Sequence, residues 1–416
     1  MNRIVIAGAS VYGLQNHSDD AMLNVFCREL HANIPDLEII LLARHPNKAF
    51  DELYGVRSIK NLDHSNKKES LGRWFRGLNP GDSTDHLKEV WKAIESSDLL
   101  VIGGDPFIEI SLGFYRGLVP YTALLITMAK FLQKPVMLHG IHLGRPPKSE
   151  LGIELTRFCL SNADLITLRE ASAKKRLLEF VISDKNSVSL ADTAWGLDPI
   201  EGKELGQQIL DKEGIRFKSE KVVGITLRHM YWKWSVSDWD YYSAILADTC
   251  DYIIEQLGVD LLCIPNCTYD IDHKYEDDRT AANDIVNKMK RKEHAHRITN
   301  KYTLFETLSL YRHLDMVFAN RRHCLIFAAV QGIPSIVCGE ELHVKPVMDE
   351  LGLGDKFIGV EELNADLLKK NISETWDNRE QIAKSIKLAL PGLRKKALQH
   401  GKLAADLIKE KAGGKE

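Results

Sequence analysis

The sequence predicts an α/β protein with two similar halves, each built on a parallel sheet, and a cleft between them. Short apolar runs alternate with amphipathic helical stretches along almost the whole chain, a pattern typical of parallel strands joined by right-handed crossovers. The alternation pauses once, in a polar stretch from residue 198 to residue 220, and then resumes. At 416 residues, the chain is also too long for one ordinary hydrophobic core.

Each half contains several apolar runs of strand length, bounded by polar or turn-forming residues. The strands predicted for the first half are 3–7, 37–42, 99–102, 135–139 and 165–168. Those predicted for the second half are 222–227, 260–264, 298–300 (the weakest), 316–319 and 335–337. Helices are predicted between them, for example over 20–32, 172–180, 241–257 and 281–290.

The pause in the alternation defines the predicted domains. We assign residues 1–200 to an N-terminal domain, 201–220 to a linker, and 221–390 to a C-terminal domain. Residues 391–416 are predicted to form a basic C-terminal helix, whose positive residues include Arg394, Lys395, Lys396, Lys402, Lys409 and Lys411. A solvated helix is favoured over contact with an anionic membrane surface.

Composition excludes several classes of protein. Hydrophobic residues make up 44% and charged residues 27%, as in a soluble globular protein. A net charge of -3 gives no electrostatic reason to expect a nucleic acid as partner. The longest apolar stretch, 118–132, is interrupted by Pro120, Thr122 and Lys130 and is too short and polar to cross a bilayer.

Location is predicted from two further observations. The N-terminus runs directly into the first predicted strand, with no signal-peptide pattern. The seven cysteines are scattered without a C-x-x-C pair, which is typical of the reducing cytoplasm. We therefore expect a cytoplasmic protein, with a place at the inner face of the membrane left open.

Arginines follow three of the predicted strands. Arg169 follows 165–168, Arg228 and His229 follow 222–227, and Arg321 and His323 follow 316–319. The carboxyl ends of parallel strands and the helix N-termini beside them are where α/β proteins bind anions, and arginine suits the bidentate capture of carboxylate or phosphate. The pattern predicts a site for a small, strongly anionic molecule, although each arginine taken alone is better interpreted as a surface residue.

Other candidate motifs are less specific. Gly103 and Gly104 follow a predicted strand and allow close approach of a ligand to the backbone. Asp19 or Asp20 is interpreted as the N-cap of the first helix. The D-x-D pairs at 238–240 and 270–272 have no supporting cluster, so no metal is predicted. Aromatic residues between 231 and 242 suit either sugar stacking or ordinary packing.

Taken in order, these motifs resemble the bacterial polysaccharide pyruvyltransferase family, and the colanic-acid branch in particular. The resemblance spans about residues 3 to 355, and its most specific part is the arginine-x-histidine segment. The matching segments are Asn16-His17-Ser18-Asp19-Asp20-Ala21, Gly103-Gly104-Asp105, Arg169-Glu170-Ala171-Ser172, Asp192-Thr193-Ala194-Trp195, Arg228, Asp277-Asp278-Arg279, Arg321-Arg322-His323 and Gly332-Ile333-Pro334.

The resemblance implies two Rossmann-like domains in the GT-B-like arrangement shared with many glycosyltransferases, with the acceptor side in residues 1–200 and the donor side in residues 221–390. It also implies transfer of pyruvate from phosphoenolpyruvate to two hydroxyls of a sugar, giving a cyclic ketal during polysaccharide or exopolysaccharide biosynthesis. Phosphoenolpyruvate is then the donor substrate, no separate cofactor is expected, and the acceptor sugar is free or lipid-linked. The oligomeric state is left open.

The resemblance also assigns roles to individual residues. Arg321 and His323 are the expected catalytic residues. His323 is expected either to move a proton or to act only as a hydrogen-bond donor to the phosphate. The expected substrate-binding residues are Arg169, Arg228, His229, Asn16, Asp19 and Gly104, and His229 is the second choice for the proton.

Three segments depart from the family pattern. Ser18 replaces a glycine, Asp105 stands where a third glycine is common, and Cys338 to Lys345 lacks the usual tyrosine, with His343 or Lys345 near the usual lysine. Two alternatives are therefore kept beside the pyruvyltransferase. One is a glycosyltransferase that uses a nucleotide-sugar donor, and the other is a non-catalytic homologue that binds sugars or anions.

Overall fold

The computed structural model describes residues 2–8, 12–13, 15–62, 85–107, 118–144, 149–180, 186–231, 233–269 and 273–413. The chain is divided into two compact units. The first unit contains Met1–Leu14, Asp19–Gly196 and Arg394–Glu416, and the second contains Gln15–Ser18 and Leu197–Leu393.

The first unit is built on a parallel sheet that has seven strands among the described residues. The strands are β1 (Asn2–Ala7), β2 (Leu37–Ala43), β3 (Arg57–Lys60), β4 (Leu99–Ile102), β5 (Val136–Ile141), β6 (Leu165–Leu168) and β7 (Ser187–Ser189). Their order across the sheet is β3-β2-β1-β4-β5-β6-β7. The central strands are apolar on both faces because helices cover both, and Ile4, Val5 and Leu100 are fully buried.

The second unit is built on a parallel sheet of six strands among the described residues. They are β8 (Val222–Thr226), β9 (Asp260–Cys263), β10 (Ala295–Arg297), β11 (Met316–Ala319), β12 (Ser335–Gly339) and β13 (Phe357–Gly359), in the order β10-β9-β8-β11-β12-β13. Val223, Leu261 and Phe318 are fully buried in its core.

Helices connect the strands in both units. Those that begin before β8 are α1 (His17–Asn33), α2 (Lys48–Tyr54), α3 (Asp85–Glu95), α4 (Leu118–Phe131), α5 (Glu150–Ser161), α6 (Ser172–Glu179) and α7 (Glu204–Lys212). Those that follow are α8 (Val236–Leu257), α9 (Asp278–Lys288), α10 (Leu304–Leu310), α11 (Arg322–Val330), α12 (Glu341–Glu350), α13 (Ala365–Asp377), α14 (Arg379–Ala397) and α15 (Gln399–Gly413). Among the described residues, no helix is long and apolar enough to cross a bilayer.

The predicted α/β class, with two Rossmann-like domains and a C-terminal helix, is confirmed. In each sheet the first strand of the unit lies between the second and the fourth. The strands remain parallel, but the order in which they are added reverses between β1 and β4 and again between β8 and β11, and we call these two places the reversal points. The carboxyl ends of the strands at such reversal points are the usual ligand sites of open α/β sheets. This topology directs attention to the residues that follow β8 and β11.

Several predicted elements differ from the structure. Strand β10 covers 295–297 rather than 298–300, and the edge strands β3, β7 and β13 were not predicted. The segment predicted as a linker, 201–220, contains helix α7, and the structure groups it with the second unit. The domain boundaries themselves stay a prediction.

The C-terminal tail is not simply a solvated helix. Helix α15 buries His400, Gly401, Ala404 and Ala405 within the first unit, and Ala404 packs in the same apolar cluster as Ile4 of β1. A Cβ added at Gly401 would come within 2.4 Å of the Cβ of Glu29 in α1, so the two helices pack too closely for a larger residue. This buried face was not predicted, because the many basic residues of the tail indicated a solvated helix.

Candidate active site

An asparagine joins the ends of the two strands at the reversal point of the second sheet. Arg228 follows β8 by two residues, and Asn320 directly follows β11. Asn320 Oδ1 accepts a hydrogen bond from the backbone N–H of Arg228 at 2.9 Å, and Asn320 Nδ2 donates to the Arg228 carbonyl at 3.0 Å. The backbone of Arg228 is therefore held at a fixed place beside β11.

Arg321, the next residue, is held by a buried carboxylate. Its Nη2 donates to Asp278 Oδ1 at 2.5 Å, and the Arg321 side chain is only 11% exposed. Asp278 Oδ2 accepts the backbone N–H groups of Asn266 and Cys267, both at 2.9 Å. One carboxylate thus ties the loop after β9 to the guanidinium after β11.

The two adjacent aspartates at the start of α9 have different roles. Asp277 is the N-cap of α9, where its side chain accepts the backbone N–H of Arg279 at 2.9 Å and pairs with the Arg279 guanidinium. Asp278 is the first residue of the helix and binds Arg321 instead. The position of Asp278 in the first turn also places its carboxylate favourably with respect to the helix dipole.

The electrostatic states of the two arginines differ. Burial alone would lower the pKa of Arg321, but the Asp278 carboxylate raises it above its ordinary value. Burial, followed by the positive charge of Arg321, lowers the pKa of Arg228 to about 10. Both guanidiniums are protonated at neutral pH. Because these like charges repel each other, the binding of an anion between them is favoured.

Helix α11 begins at this same place and contributes a third positive feature. Its N-cap is Arg321, whose side chain has only donors and forms no capping hydrogen bond. The first N–H groups of a helix have no carbonyl partners within it, and they favour an anion at the N-terminus. His323 lies in this first turn and is 7% exposed.

His229 lies in an aromatic cluster rather than in a polar one. Its ring stacks on Tyr275 with 3.9 Å between ring centroids, and Trp239 is 4.4 Å away. Burial, with a smaller contribution from His273, lowers the pKa of His229 to about 4, so the ring is neutral at neutral pH. Trp239 and Tyr275 both donate to Asp284 Oδ2, which fixes the two rings in place.

The Asn16–Ser18 segment packs within the second unit, against the loop after β9. Asn16 and Cys267 form an isolated antiparallel bridge, and His17 Nε2 lies 3.0 Å from Thr307 Oγ1. Ser18 Oγ accepts a hydrogen bond from Asn266 Nδ2 at 2.9 Å. The serine that replaces a family glycine therefore has a structural partner, in the loop that Asp278 holds.

Helix α1 begins three residues earlier than predicted, and this changes the N-cap assignment. Asn16 Oδ1 accepts the backbone N–H of Ser18 at 3.2 Å, as an N-cap residue does. Asp19 and Asp20 lie in the first turn of the helix instead of at its cap. The interpretation of either aspartate as the N-cap was therefore wrong.

Arg169 lies in the first unit and is surrounded by carboxylates. Its Nη2 is 3.0 Å from Asp105 Oδ1, and its Nε is 3.7 Å from Glu170 Oε2 and 3.8 Å from Asp192 Oδ2. Burial opposes its charge, but these acids raise the pKa of Arg169 above its ordinary value. Asp105, the second departure from the family pattern, is thus an ion-pair partner of the motif arginine. Glu170 also binds His142 Nδ1.

Glycines line the reversal point of the first sheet, between β1 and β4. Gly8 follows β1 with a φ of +140°, and a Cβ there would lie 2.3 Å from the carbonyl oxygen of Gly103. Gly104 has a φ of +75°, in the left-handed region that glycine tolerates best. Gly104 is therefore required by the backbone, and its assignment to substrate binding stays a prediction.

The atypical segment from Cys338 to Lys345 begins in the sheet. Cys338 is buried in β12, and Glu340 is the N-cap of α12. The carboxylate of Glu340 is close enough to Arg228 to oppose the lowering of its pKa. Lys345, near the family's usual lysine, pairs with Asp349 at 2.9 Å.

Sequence reasoning did not assign Asn320 or Asp278 to the site. Asn320 could have been identified from its position directly after a predicted strand, since an amide side chain there can form hydrogen bonds with the backbone at the end of a neighbouring strand. Asp238 of the first D-x-D pair belongs to the capping box of α8, and residues 270–272 lie outside the described residues. Within the described ranges, no group of three or more His, Cys, Asp or Glu side chains has the geometry to hold a metal.

The comparison with known families now identifies the class of protein. The model of the family described as polysaccharide pyruvyl transferase matches residues 19–341, which include Arg169, Arg228 and the Arg321–His323 segment. The chain belongs to the polysaccharide pyruvyl transferase family, a family of transferases. No curated protein matched the sequence.

Similar solved structures agree with the fold. The UDP-GlcNAc 2-epimerase from Neisseria meningitidis bound to UDP-GlcNAc has a TM-score of 0.63 and 11% identity, over 99% of this chain and 100% of that one. Alr3699/HepE from Anabaena in complex with UDP has a TM-score of 0.62 and 11% identity, over 99% and 100%. The UDP-GlcNAc 2-epimerase from Methanocaldococcus jannaschii has a TM-score of 0.58 and 13% identity, over 99% and 100%. At these identities the likeness concerns the fold alone.

Proposed function

We propose that the protein transfers pyruvate from phosphoenolpyruvate to two hydroxyls of a sugar and so forms a cyclic ketal during polysaccharide or exopolysaccharide biosynthesis. The observation that carries the proposal is the juxtaposition of Arg228 and Arg321 at the reversal point of the second sheet, beside the N-terminus of α11. Family membership supports pyruvyl transfer, and this cationic strand end is suited to its donor.

The charges of the donor match the groups at this strand end. Phosphoenolpyruvate carries a carboxylate and a phosphate on a three-carbon frame, and two guanidiniums can each take one of them in a bidentate manner. The N–H groups at the start of α11 offer further donors to the same anion. Burial and then the positive charge of Arg321 lower the pKa of Arg228, and an anion here would offset that positive charge.

The reaction has two steps, each of which transfers one hydroxyl proton. A sugar hydroxyl adds to C2 of phosphoenolpyruvate while the C3 methylene gains a proton and becomes a methyl group. The second hydroxyl then forms a bond to C2 as the bond from C2 to the phosphate oxygen breaks. One hydroxyl proton is accounted for by the new methyl group, and the other by the released phosphate.

His323 is the residue that we propose to move the first proton. Histidine is the side chain that most often transfers protons in enzymes, and after delivering one it can take up the proton of the attacking hydroxyl. His229 is a poorer candidate because its pKa is lowered to about 4, which leaves almost no protonated form at pH 7. Its aromatic surroundings suit a packing role or contact with an apolar face of the substrate.

The first unit is proposed to bind the acceptor sugar. The carboxylates around Arg169 offset its charge, and such a mixed group of donors and acceptors suits sugar hydroxyls better than it suits a second anion. Asn16, Asp19 and Gly104 remain predicted substrate-binding residues. No cofactor is required, since phosphoenolpyruvate itself is the activated species. We further propose a cytoplasmic location.

The test is phosphate release from phosphoenolpyruvate in the presence of candidate free and lipid-linked sugars, with mass analysis of the product for a ketal. Phosphoenolpyruvate should raise the melting temperature, and uridine or guanosine diphosphate should not. Stabilisation by a nucleotide instead would indicate a glycosyltransferase. Stabilisation by phosphoenolpyruvate without release of phosphate under any acceptor would indicate a non-catalytic homologue.

A further inference from the structure

We infer that one face of helix α14 is a docking surface for an anionic phospholipid bilayer. This basic face consists of Lys384, Lys387, Leu388, Pro391 and Lys395, all of them exposed. The spacing i, i+3, i+4, i+7 and i+11 places these five residues along one side of a helix. The inference does not depend on the proposed function.

The charge of this region differs from that of the rest of the chain. The protein has a net charge of -3, but no Asp or Glu lies between Glu380 and Asp406. Within this interval, helix α14 contributes Lys384, Lys387, Arg394, Lys395 and Lys396. A local excess of positive charge in a chain that is negative overall is suited to an anionic partner.

The lysines of the basic face are available to such a partner. Among the described residues, the side chains of Lys384, Lys387 and Lys395 form neither ion pairs nor hydrogen bonds. Most other helices in the described part of the chain contain both acidic and basic residues. Helix α15, for example, alternates exposed Lys402 and Lys409 with exposed Asp406 and Glu410. Helix α14 has exposed Glu380 in its first turn, but from Lys384 to Lys395 its exposed charges are all positive. This is not a general property of the basic tail.

An apolar residue in the middle of the basic face favours a membrane over other polyanions. Leu388 is 83% exposed, among the most exposed large hydrophobic side chains of the described residues. Lys384 lies one turn before it, and Lys387 directly precedes it. Leucine gains free energy by entering the boundary between headgroups and acyl chains, while lysine stems extend to the phosphates around it. A nucleic acid would bind the lysines and gain little from the leucine.

The experiment is sedimentation of the full chain with vesicles, without substrates. Vesicles of phosphatidylglycerol mixed with phosphatidylcholine are compared with vesicles of phosphatidylcholine alone, at low and high ionic strength. We expect binding to the anionic vesicles only, weakened by salt. The double variant Lys384→Glu/Lys387→Glu should lower partitioning roughly tenfold or more, since each lysine near an anionic surface contributes about 1 kcal/mol.

Two further variants make the result specific. Lys402→Glu/Lys409→Glu on the mixed-charge face of α15 is the matched control and should bind like the wild type. Leu388→Ser should weaken vesicle binding but leave retention on heparin unchanged. The proposal is overturned if anionic vesicles do not bind, if Lys384→Glu/Lys387→Glu binds them normally, or if Leu388→Ser has no effect on vesicles. Unchanged far-UV circular dichroism confirms that each variant is folded.

Discussion

Asn320 and Arg228 exchange two hydrogen bonds, of 2.9 and 3.0 Å, across the carboxyl ends of the parallel strands β11 and β8. The amide side chain extends the pairing of the two strands by one residue beyond the sheet. Because Arg321 follows Asn320, the same contact sets the separation between the two arginine backbones. The geometry of the proposed donor site therefore depends on a residue that carries no charge.

We predict that Asn320→Ala raises the KM for phosphoenolpyruvate more than it lowers kcat. Both hydrogen bonds are lost, and the Arg228 backbone is no longer held beside β11. The free energy of unfolding should fall by about 1–2 kcal/mol, which thermal unfolding can measure. Asn378→Ala, at an exposed helix end, is the control. An unchanged KM would show that Asn320 does not position the site.

Asp278→Asn should impair donor binding and stability together. The variant leaves the buried Arg321 guanidinium without its carboxylate, and breaking a buried pair costs about 3–5 kcal/mol. Asp277→Asn, one residue earlier, changes the N-cap but not the Arg321 contact, and asparagine is a good N-cap. Calorimetry with phosphoenolpyruvate should show lost affinity only in the Asp278 variant. Equal losses in both would indicate a structural role for α9 as a whole.

His323→Ala should lower kcat by roughly 10²–10⁴-fold, as expected for a proton-transfer residue, while the protein remains folded. His229→Phe preserves an aromatic ring in its cluster and should retain turnover within about tenfold. Phosphate-release kinetics on the two variants provide the comparison. A loss below tenfold in His323→Ala would contradict its catalytic role, and a large loss in His229→Phe would transfer that role to His229.

Glu213 predicts a pH dependence of stability that is separate from catalysis. Its carboxylate accepts hydrogen bonds from the backbone and side chains of Thr299 and Asn300 and from the hydroxyl of Tyr302. Burial opposes the charge, but these bonds lower the pKa of Glu213 to about 2. Since the folded pKa lies below the unfolded value of about 4.3, the stabilisation is present above pH ~4.3 and is lost as the pH falls toward 2.

The measurement is urea unfolding between neutral pH and pH ~3. In the wild type, this group should contribute roughly 1–2 kcal/mol, reduced from the full linkage value by solvent screening. Glu213→Gln should be less stable at neutral pH, and its stability should decline less steeply with acid. Parallel pH profiles for the two proteins would rule out Glu213 as the source of the decline.

The buried strands were predictable from the sequence because they are continuous apolar runs. Strands 99–102, 165–168 and 316–319 have the predicted bounds. The edge strands β3 and β7 were missed, since Arg57–Lys60 and Ser187–Ser189 are short and polar, and only their pairing with a neighbour makes them strands. The start of helix α1 differs from the prediction because its N-cap is Asn16 and not the aspartate that was expected.

The proximity of Arg228 to Arg321 could not be predicted from local sequence patterns, because it depends on the order of the strands in the sheet. These residues are far apart in sequence, and their strands are neighbours only because β8 lies between β9 and β11. The contact between Asp278 and Arg321 also depends on tertiary packing, because an aspartate at the start of a helix normally serves its own helix. The sequence pattern indicated the residue types, and the fold selected which of them meet.

The offset charge of Arg321 has a consequence for product release. Asp278 already neutralises part of the positive charge at this strand end. The site therefore attracts an anion less strongly than two guanidiniums without a carboxylate partner would. Inorganic phosphate, the leaving group of the proposed reaction, has the charge and shape to remain behind. A partly neutralised site releases it sooner, and phosphate should act as a weak inhibitor that competes with the donor.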